Sequence, residues 1–548
     1  MRAFAPLLLS AIGVAIGSFP ATAAEPTKGV DFAHEVVPIL KAHCAKCHTN
    51  GTYKGSMSLD TRADVLKKAA VASKSAQSEM IKRVTSRDAD ERMPPEGKRL
   101  SDKEVQTLRA WIDEGLAWEP GFSFKARTYV APLKLRRPGV PGSSMGPSHP
   151  IDKLLGTYFV QHKIKRPQPL DDAAFARRAY LDLIGLLPAP SELEAFVTDD
   201  SRDKRAELVH RLLNDQRAYA DHWLAFWNDL LRNEYKGTGY IDGGRKQITA
   251  WLYKALLDNK AYDQFARELI NPSPESEGFA KGIRWRGQVN ASQVVELQFS
   301  QNVGQVFFGA NLKCASCHDS FIDHWKLDDS YGLAAVIADK PMDTYRCDKP
   351  TGKTAGPKFL FPELGTIDPA LPKAKRLERL AALATHPDNG RFARTIVNRI
   401  WHRLMGHGIV HPVDQMEDRP WSEDLLDYLA VYFVDSNYNL KKLMEHIATS
   451  AIYQAQAVPV PKEVPPDEYV FRGPEVKRLT AEEFVDAVWM LTGTAPAKPV
   501  AQAAIPPFPE TTPKERRFVR ATLVDADLLM RSLGRPNREQ VVTTRPDQ

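Results

Sequence analysis

Apolar residues recur at helical rather than alternating spacing along most of this chain, which predicts a mainly α protein with few strands. Phe32, Val36 and Leu40 lie on one face of a helix that Asp31 can cap and that runs into Cys44 and Cys47, with Pro38 suited to a first turn or a kink. Ser101 and Glu104 form a capping box before Val105, Leu108, Trp111 and Ile112, and Gly115 is the expected stop. Further on, helices are predicted from Ala174 to a stop at Gly185 and Pro188, through the aromatic run Tyr219–Trp227, and from Ala291 to Phe308 before Gly309. The pattern continues with Phe392–Trp401, Asp424–Ala430, Ser450–Tyr453 and a helix capped by Thr480 with Glu483.

Between these regions, residues 120–150 turn to proline, glycine and serine, as in Arg137-Pro-Gly-Val-Pro-Gly, the composition of a linker or a surface-hugging strap. The expected organisation is a signal peptide over 1–24, a small helical domain over 30–119, the linker over 120–150, a second helical domain over 151–345 and a third over 375–548.

Two copies of Cys-x-x-Cys-His carry the candidate chemistry: Cys44-Ala-Lys-Cys47-His48 and Cys314-Ala-Ser-Cys317-His318. Two thiols one turn apart can each form a thioether to a porphyrin vinyl group, and the adjoining histidine then reaches the iron, so the pattern reads as covalent attachment of two haems c, the first more firmly than the second. A redox dithiol lacks its usual strand–helix setting here, and a zinc site needs pairs closer together than two halves of a chain. The fifth cysteine, Cys347, has no evident partner and reads as a buried or weakly reactive thiol.

Compartment agrees with that reading. Met1-Arg2, an apolar run from Ala5 to Phe19 and Ala21-Thr22-Ala23-Ala24 make a secretory signal, too short for a membrane span, and no later stretch is apolar enough to span a bilayer. A periplasmic or secreted mature protein is expected, with an uncleaved anchor as the alternative. The chain has 548 residues, 43% hydrophobic and 26% charged, and a formal charge of only +6, with no basic run beside stacking aromatics. Nucleic acid is therefore not an expected partner; a redox protein or a small-molecule electron donor or acceptor is.

For the first haem, Met93 in Arg92-Met93-Pro94-Pro95 is the expected second axial ligand, since prolines stiffen its loop; Met57 and Met80 are the competitors. The segments Phe32 to His48, Lys54-Gly-Ser-Met-Ser-Leu-Asp60, Met93-Pro94-Pro95 and Leu108 to Gly115 together resemble the planctomycete-type cytochrome c domain, which implies a c-type haem held by His48 and Met93. Residues 150 to about 345 resemble the uncharacterised domain that usually follows it, through Arg177-Arg178, Leu181-Asp182 and Cys314 to Ala335, and the remainder resembles the third domain of the same architecture. The chain stops soon after Gly534-Arg535-Pro536, so truncation of that third domain is expected.

One departure from the resemblance matters. Ser320-Phe321 stands where many such domains have His-Pro, which leaves the second haem without an obvious second ligand; Met342, His324 and His222 are the candidates. His402, His407 and His411 with Asp414 fit no metal template and read as incidental. Arg394, Arg399, Arg535 and Arg538 either clamp an anion or pair with nearby carboxylates. Three functions follow from this reading: a dihaem electron carrier, a haem-dependent oxidoreductase working at the second motif on an unknown substrate, or a structural or polymer-binding protein with one functional haem.

Overall fold

The computed structural model describes residues 29–126, 128–142, 149–235, 246–285, 289–459, 464 and 468–545. The expected signal peptide lies outside them. The architecture is mainly helical; among the described residues the strands are Met342–Arg346 (β1) and Lys349–Ala355 (β2), one antiparallel hairpin. The chain divides into two compact units, one reaching Trp118 and one beginning at Glu119.

The first unit opens with Asp31, whose carboxylate accepts the N–H of His34 as the expected cap. The helix that follows is not continuous. Phe32–Val36 forms a π-turn closed by the Val37 N–H on the Phe32 carbonyl, and α1 (Val37–His43) then carries Pro38 in its first turn. Proline donates no hydrogen bond and crowds the preceding turn, so the i→i−4 ladder is displaced at this point.

α2 (Glu79–Thr85) and α3 (Asp102–Asp113) complete the unit, with both halves of the Ser101–Glu104 capping box formed. Val36, Leu40, Met80, Ile81, Leu108, Trp111 and Ile112 are all buried. Phe32 packs on Trp118 at 4.4 Å and on Trp111 at 5.8 Å, which ties the entry of the unit to its exit.

The second unit stacks α4 (Pro150–Gln161), α5 (Asp172–Ile184), α6 (Pro190–Thr198), α7 (Lys204–Asn214), α8 (Gln216–Leu230), α9 (Thr249–Leu257), α10 (Tyr262–Ile270), α11 (Val295–Phe308) and α12 (Leu327–Ala334). After the hairpin come α13 (Lys373–Ala384), α14 (Gly390–Met405), α15 (Glu423–Asp435), α16 (Leu440–Ala448) and α17 (Ala481–Thr492). One apolar core draws on both halves of this unit, from Ile151 to Leu523.

Gly185 ends α5 with φ of 67°, and a Cβ there would come within 2.2 Å of the His222 ring on α8, so both the turn and the packing require glycine.

Buried polar groups lock the halves together. Asp152 on α4 accepts the N–H groups of Ala451 and Ile452, Arg178 on α5 donates to the carbonyls of Tyr453 and Ala455, and Arg520 reaches Asp486 and the carbonyls of Ile184 and Gly185. The Pro/Gly-rich stretch behaves as a strap: Leu133 accepts the Gly390 N–H, and Arg136 and Arg137 pair with Asp427 and Asp435 on α15. Carboxylate pairing also accounts for the four singled-out arginines, through Arg394–Asp427, Arg399–Asp414, Arg535–Glu482 and Arg538–Asp229.

Candidate haem-attachment sites

The two Cys-x-x-Cys-His motifs share one hydrogen-bond pattern, although the first is a short α-helix over Ala45–His48 and the second a 3-10 turn over Cys314–Ser316. At the first, the N–H groups of Cys47 and His48 both donate to the Cys44 carbonyl at 3.1 Å; at the second, those of Cys317 and His318 donate to the Cys314 carbonyl at 3.0 and 3.1 Å. A single tight turn therefore sets two thiols and an imidazole on one short segment in each case.

Each histidine is oriented through its Nδ1 atom. His48 Nδ1 lies 3.3 Å from the Met57 carbonyl, and His318 Nδ1 lies 2.8 Å from the Asp319 carbonyl. A carbonyl only accepts, so Nδ1 carries the proton and the ring's lone pair sits on Nε2, the state an iron ligand requires. The Leu59 N–H donates back to the His48 carbonyl at 2.8 Å, and buried Asp60 accepts the Asn50 N–H at 2.8 Å and the Tyr53 hydroxyl. The stretch from Lys54 to Asp60 is thus the clamp of His48. Sequence periodicity gave it no role because, beyond one 3-10 turn at Lys54–Ser56, it is neither helix nor strand.

Burial pushes the Cys44 thiol up to about 12, with the neighbouring Cys47 charge adding to the effect, and burial also raises Cys317. A catalytic dithiol needs the opposite, a depressed thiol that is thiolate at neutral pH. The Cys44 thiol is therefore not that of a catalytic dithiol.

The methionines of the first unit separate by position. Met80 is a core residue. Met57 presents its carbonyl to Nδ1, on the edge of the His48 ring away from Nε2. Met93 is half-buried on the loop between α2 and α3, its N–H held by the Arg83 carbonyl at 3.0 Å.

Around the second motif, α11 delivers the chain to Cys314. Ser316 donates to the Leu312 carbonyl, and Gln301 on α11 donates to Ser316 at 2.9 Å. Phe321, in place of the expected proline, stacks on the His318 ring at 4.3 Å. His324 stacks on Trp325 within the same loop. His222 is buried on α8 against Gly185, Trp223 and Glu483.

Met342 lines a cavity of about 840 Å³ together with Ala291, Tyr331, Tyr345 and Asp348. Cys317 is not part of that lining but lies near its Tyr331 and Asp348; its thiol meets the Ser292 hydroxyl, and its carbonyl accepts the Cys347 N–H. Cys347 is exposed at the hairpin tip, which corrects the expectation of burial; it is a free thiol whose backbone N–H neighbours Cys317.

Of the C-terminal histidines, His407 stacks between His411 at 4.3 Å and Tyr469 at 3.8 Å, with its Nδ1 3.7 Å from Glu475. Asp414 is turned elsewhere, accepting from Arg399, Gln305 and Thr543. Among the described residues no group of three or more His, Cys, Asp or Glu side chains is arranged to hold a metal ion.

Residues 44–97 match the family Planctomycete cytochrome C, residues 150–341 a family described as protein of unknown function (DUF1549), and residues 375–548 another so described (DUF1553). The chain has the domain arrangement of a planctomycete-type multidomain c-type cytochrome. The cytochrome c domain spans the first motif, its His48 clamp and Met93, and it implies haem c. The second motif falls inside the DUF1549 match. No curated protein and no solved structure matches the chain.

Proposed function

We propose that this chain is a dihaem c-type cytochrome that carries electrons outside the inner membrane, in the periplasm or after secretion. The observation that carries the reading is the shared hydrogen-bond pattern of the two motifs, each closing on the first cysteine's carbonyl, with both histidines tied at Nδ1 to a backbone carbonyl.

Cys44, Cys47, His48 and Met93 would hold the first haem, and Cys314, Cys317 and His318 the second. Bound there, haem c supplies an iron that gains and loses one electron, and a thioether ligand such as Met93 favours the reduced state. The chain's own contribution is orientation: the Met57 and Asp319 carbonyls fix the tautomer and the swing of each imidazole. The partner is a redox protein or a small-molecule donor or acceptor; no helix among the described residues is long and apolar enough to cross a membrane.

Intact-mass spectrometry with a pyridine haemochrome assay tests this directly. Two covalent haems per chain are expected; one would sink the dihaem model, and none would sink haem binding altogether.

A second reading is favoured by the cavity beside Cys317. At about 840 Å³ it lies within the size range of ligand sites, and it supports an oxidoreductase acting on an unknown substrate at the second haem. Met342 is the only one of the three candidate ligands that lines it. Carbon monoxide separates the readings: ready binding to the reduced protein favours an open position and the oxidoreductase, whereas no binding favours a filled position and simple transfer.

A further inference from the structure

The hairpin turns on Cys347 and Asp348, whose φ values are 45° and 66°. A two-residue turn with both residues in left-handed backbone is of type I′, a place usually held by Asn, Asp or Gly and rarely by cysteine. Contacts with the second motif and its surroundings hold the turn in place. The Cys347 N–H donates to the Cys317 carbonyl at 3.0 Å, Asp348 accepts the Ala291 N–H at 2.7 Å, and the Tyr345 N–H donates to the Tyr331 hydroxyl at 3.2 Å. The Cys347 sulfur lies 3.9 Å from the same Cys317 carbonyl, and Cys347 is exposed to solvent. A direct backbone bond keeps the two Cα atoms within about 7 Å, the reach of a disulfide.

We propose that Cys317 and Cys347 form a disulfide in molecules whose second motif carries no haem, so that the Cys317 thiol has two alternative covalent partners. The oxidant is a low-molecular-weight disulfide. The exposed Cys347 thiolate attacks one of its sulfurs and releases one thiol; the Cys317 thiolate then attacks the Cys347 sulfur and releases the second. Two cysteine thiols are oxidised to one disulfide, and one disulfide is reduced to two thiols, which take up the two protons. While the link persists, Cys317 has no thiol to offer a vinyl group, so loading of the second motif requires a reductant.

The pairing stands whether or not the motif later receives haem. Only its role in loading rests on the function proposed above, and haem stoichiometry and peptide cross-links report the two separately. The full-length chain, produced without haem-attachment machinery, is incubated with oxidised glutathione, alkylated and digested with trypsin without reduction. The peptide from Cys314 to Lys326 is expected joined to the peptide that begins at Cys347, with a mass lower by two hydrogens than the separate pair. Cys314→Ser should keep the link; Cys317→Ser and Cys347→Ser should lose it.

A disulfide within the motif, a glutathione adduct that goes no further, a link that survives Cys317→Ser, or complete alkylation would each overturn the proposal. Haem-bearing preparations give a second measurement that does not depend on the haem-free chain folding. Molecules that lack haem at the second motif should contain the link, and an alkylated Cys347 in those molecules would equally overturn it.

Discussion

His48 donates through Nδ1 to the carbonyl of Met57, nine residues further along the chain, at 3.3 Å. This one contact gives the Lys54–Asp60 segment its purpose and assigns Met57 a backbone role at the site.

Met93→Ala should abolish any absorbance band assignable to sulfur–iron ligation at the first haem and lower its reduction potential, because a thioether favours the reduced iron. Optical spectroscopy of both oxidation states, with a redox titration, makes the comparison. A band that persists removes Met93 from the site.

Asp60→Ala should destabilise the first unit by about 1–3 kcal/mol, since the Asn50 N–H loses its buried acceptor and the Tyr53 hydroxyl must turn to solvent. Urea unfolding monitored by the fluorescence of Trp111 and Trp118 would register the loss, and Asp60→Asn should lose less.

How much of this was legible beforehand divides along physical lines. Helices with strong caps or glycine stops emerged where expected: Ser101–Glu104 before α3, Gly185 after α5, Gly309 after α11 and Thr480–Glu483 before α17. Local sequence carries those signals in full. The break before α1 was only half legible, because Pro38 announces a disturbance but not that a π-turn absorbs it. The hairpin was not foreseen, since its turn uses Cys347-Asp348 rather than a glycine-containing pair and is held by tertiary contacts. Phe321 on His318 and the Met57 carbonyl on His48 were invisible for the same reason: neither contact has a periodicity or a motif of its own.

Glu482→Ala should cost about 3–5 kcal/mol, because Arg535 and Arg545 then share a buried site short of one carboxylate. Burial acts to raise the Glu482 carboxyl, yet these arginines hold it below the ordinary carboxylate range. The measurement is the urea midpoint of the second unit. A change under about 0.5 kcal/mol, the range of an ordinary surface substitution, would show that the network is not stabilising as built.

Stability should fall as pH drops below about 6.5. Burial lowers His402 from its ordinary value of 6.5 to about 3, and burial together with His149 lowers His446 to about 4. Both are neutral in the folded protein and take up a proton on unfolding, so their contribution is fully present above 6.5 and is lost as pH falls toward 4 and then 3. Each adds a slope of up to about 1.4 kcal/mol per pH unit in that window. Urea midpoints from pH 7.5 to 4 should show the decline, and His402→Gln should flatten it.

Asp229 on α8 is held by Arg538 and Arg545, and Asp486 on α17 by Arg520, which also grips the end of α5. One interior, from Ile151 to Leu523, draws on residues of both unassigned families. The second motif therefore rests on helices far along the chain: Arg399 on α14 grips the Gln305 and Val306 carbonyls of α11, and a lesion in α14 can loosen the ground beneath Cys314 without touching it.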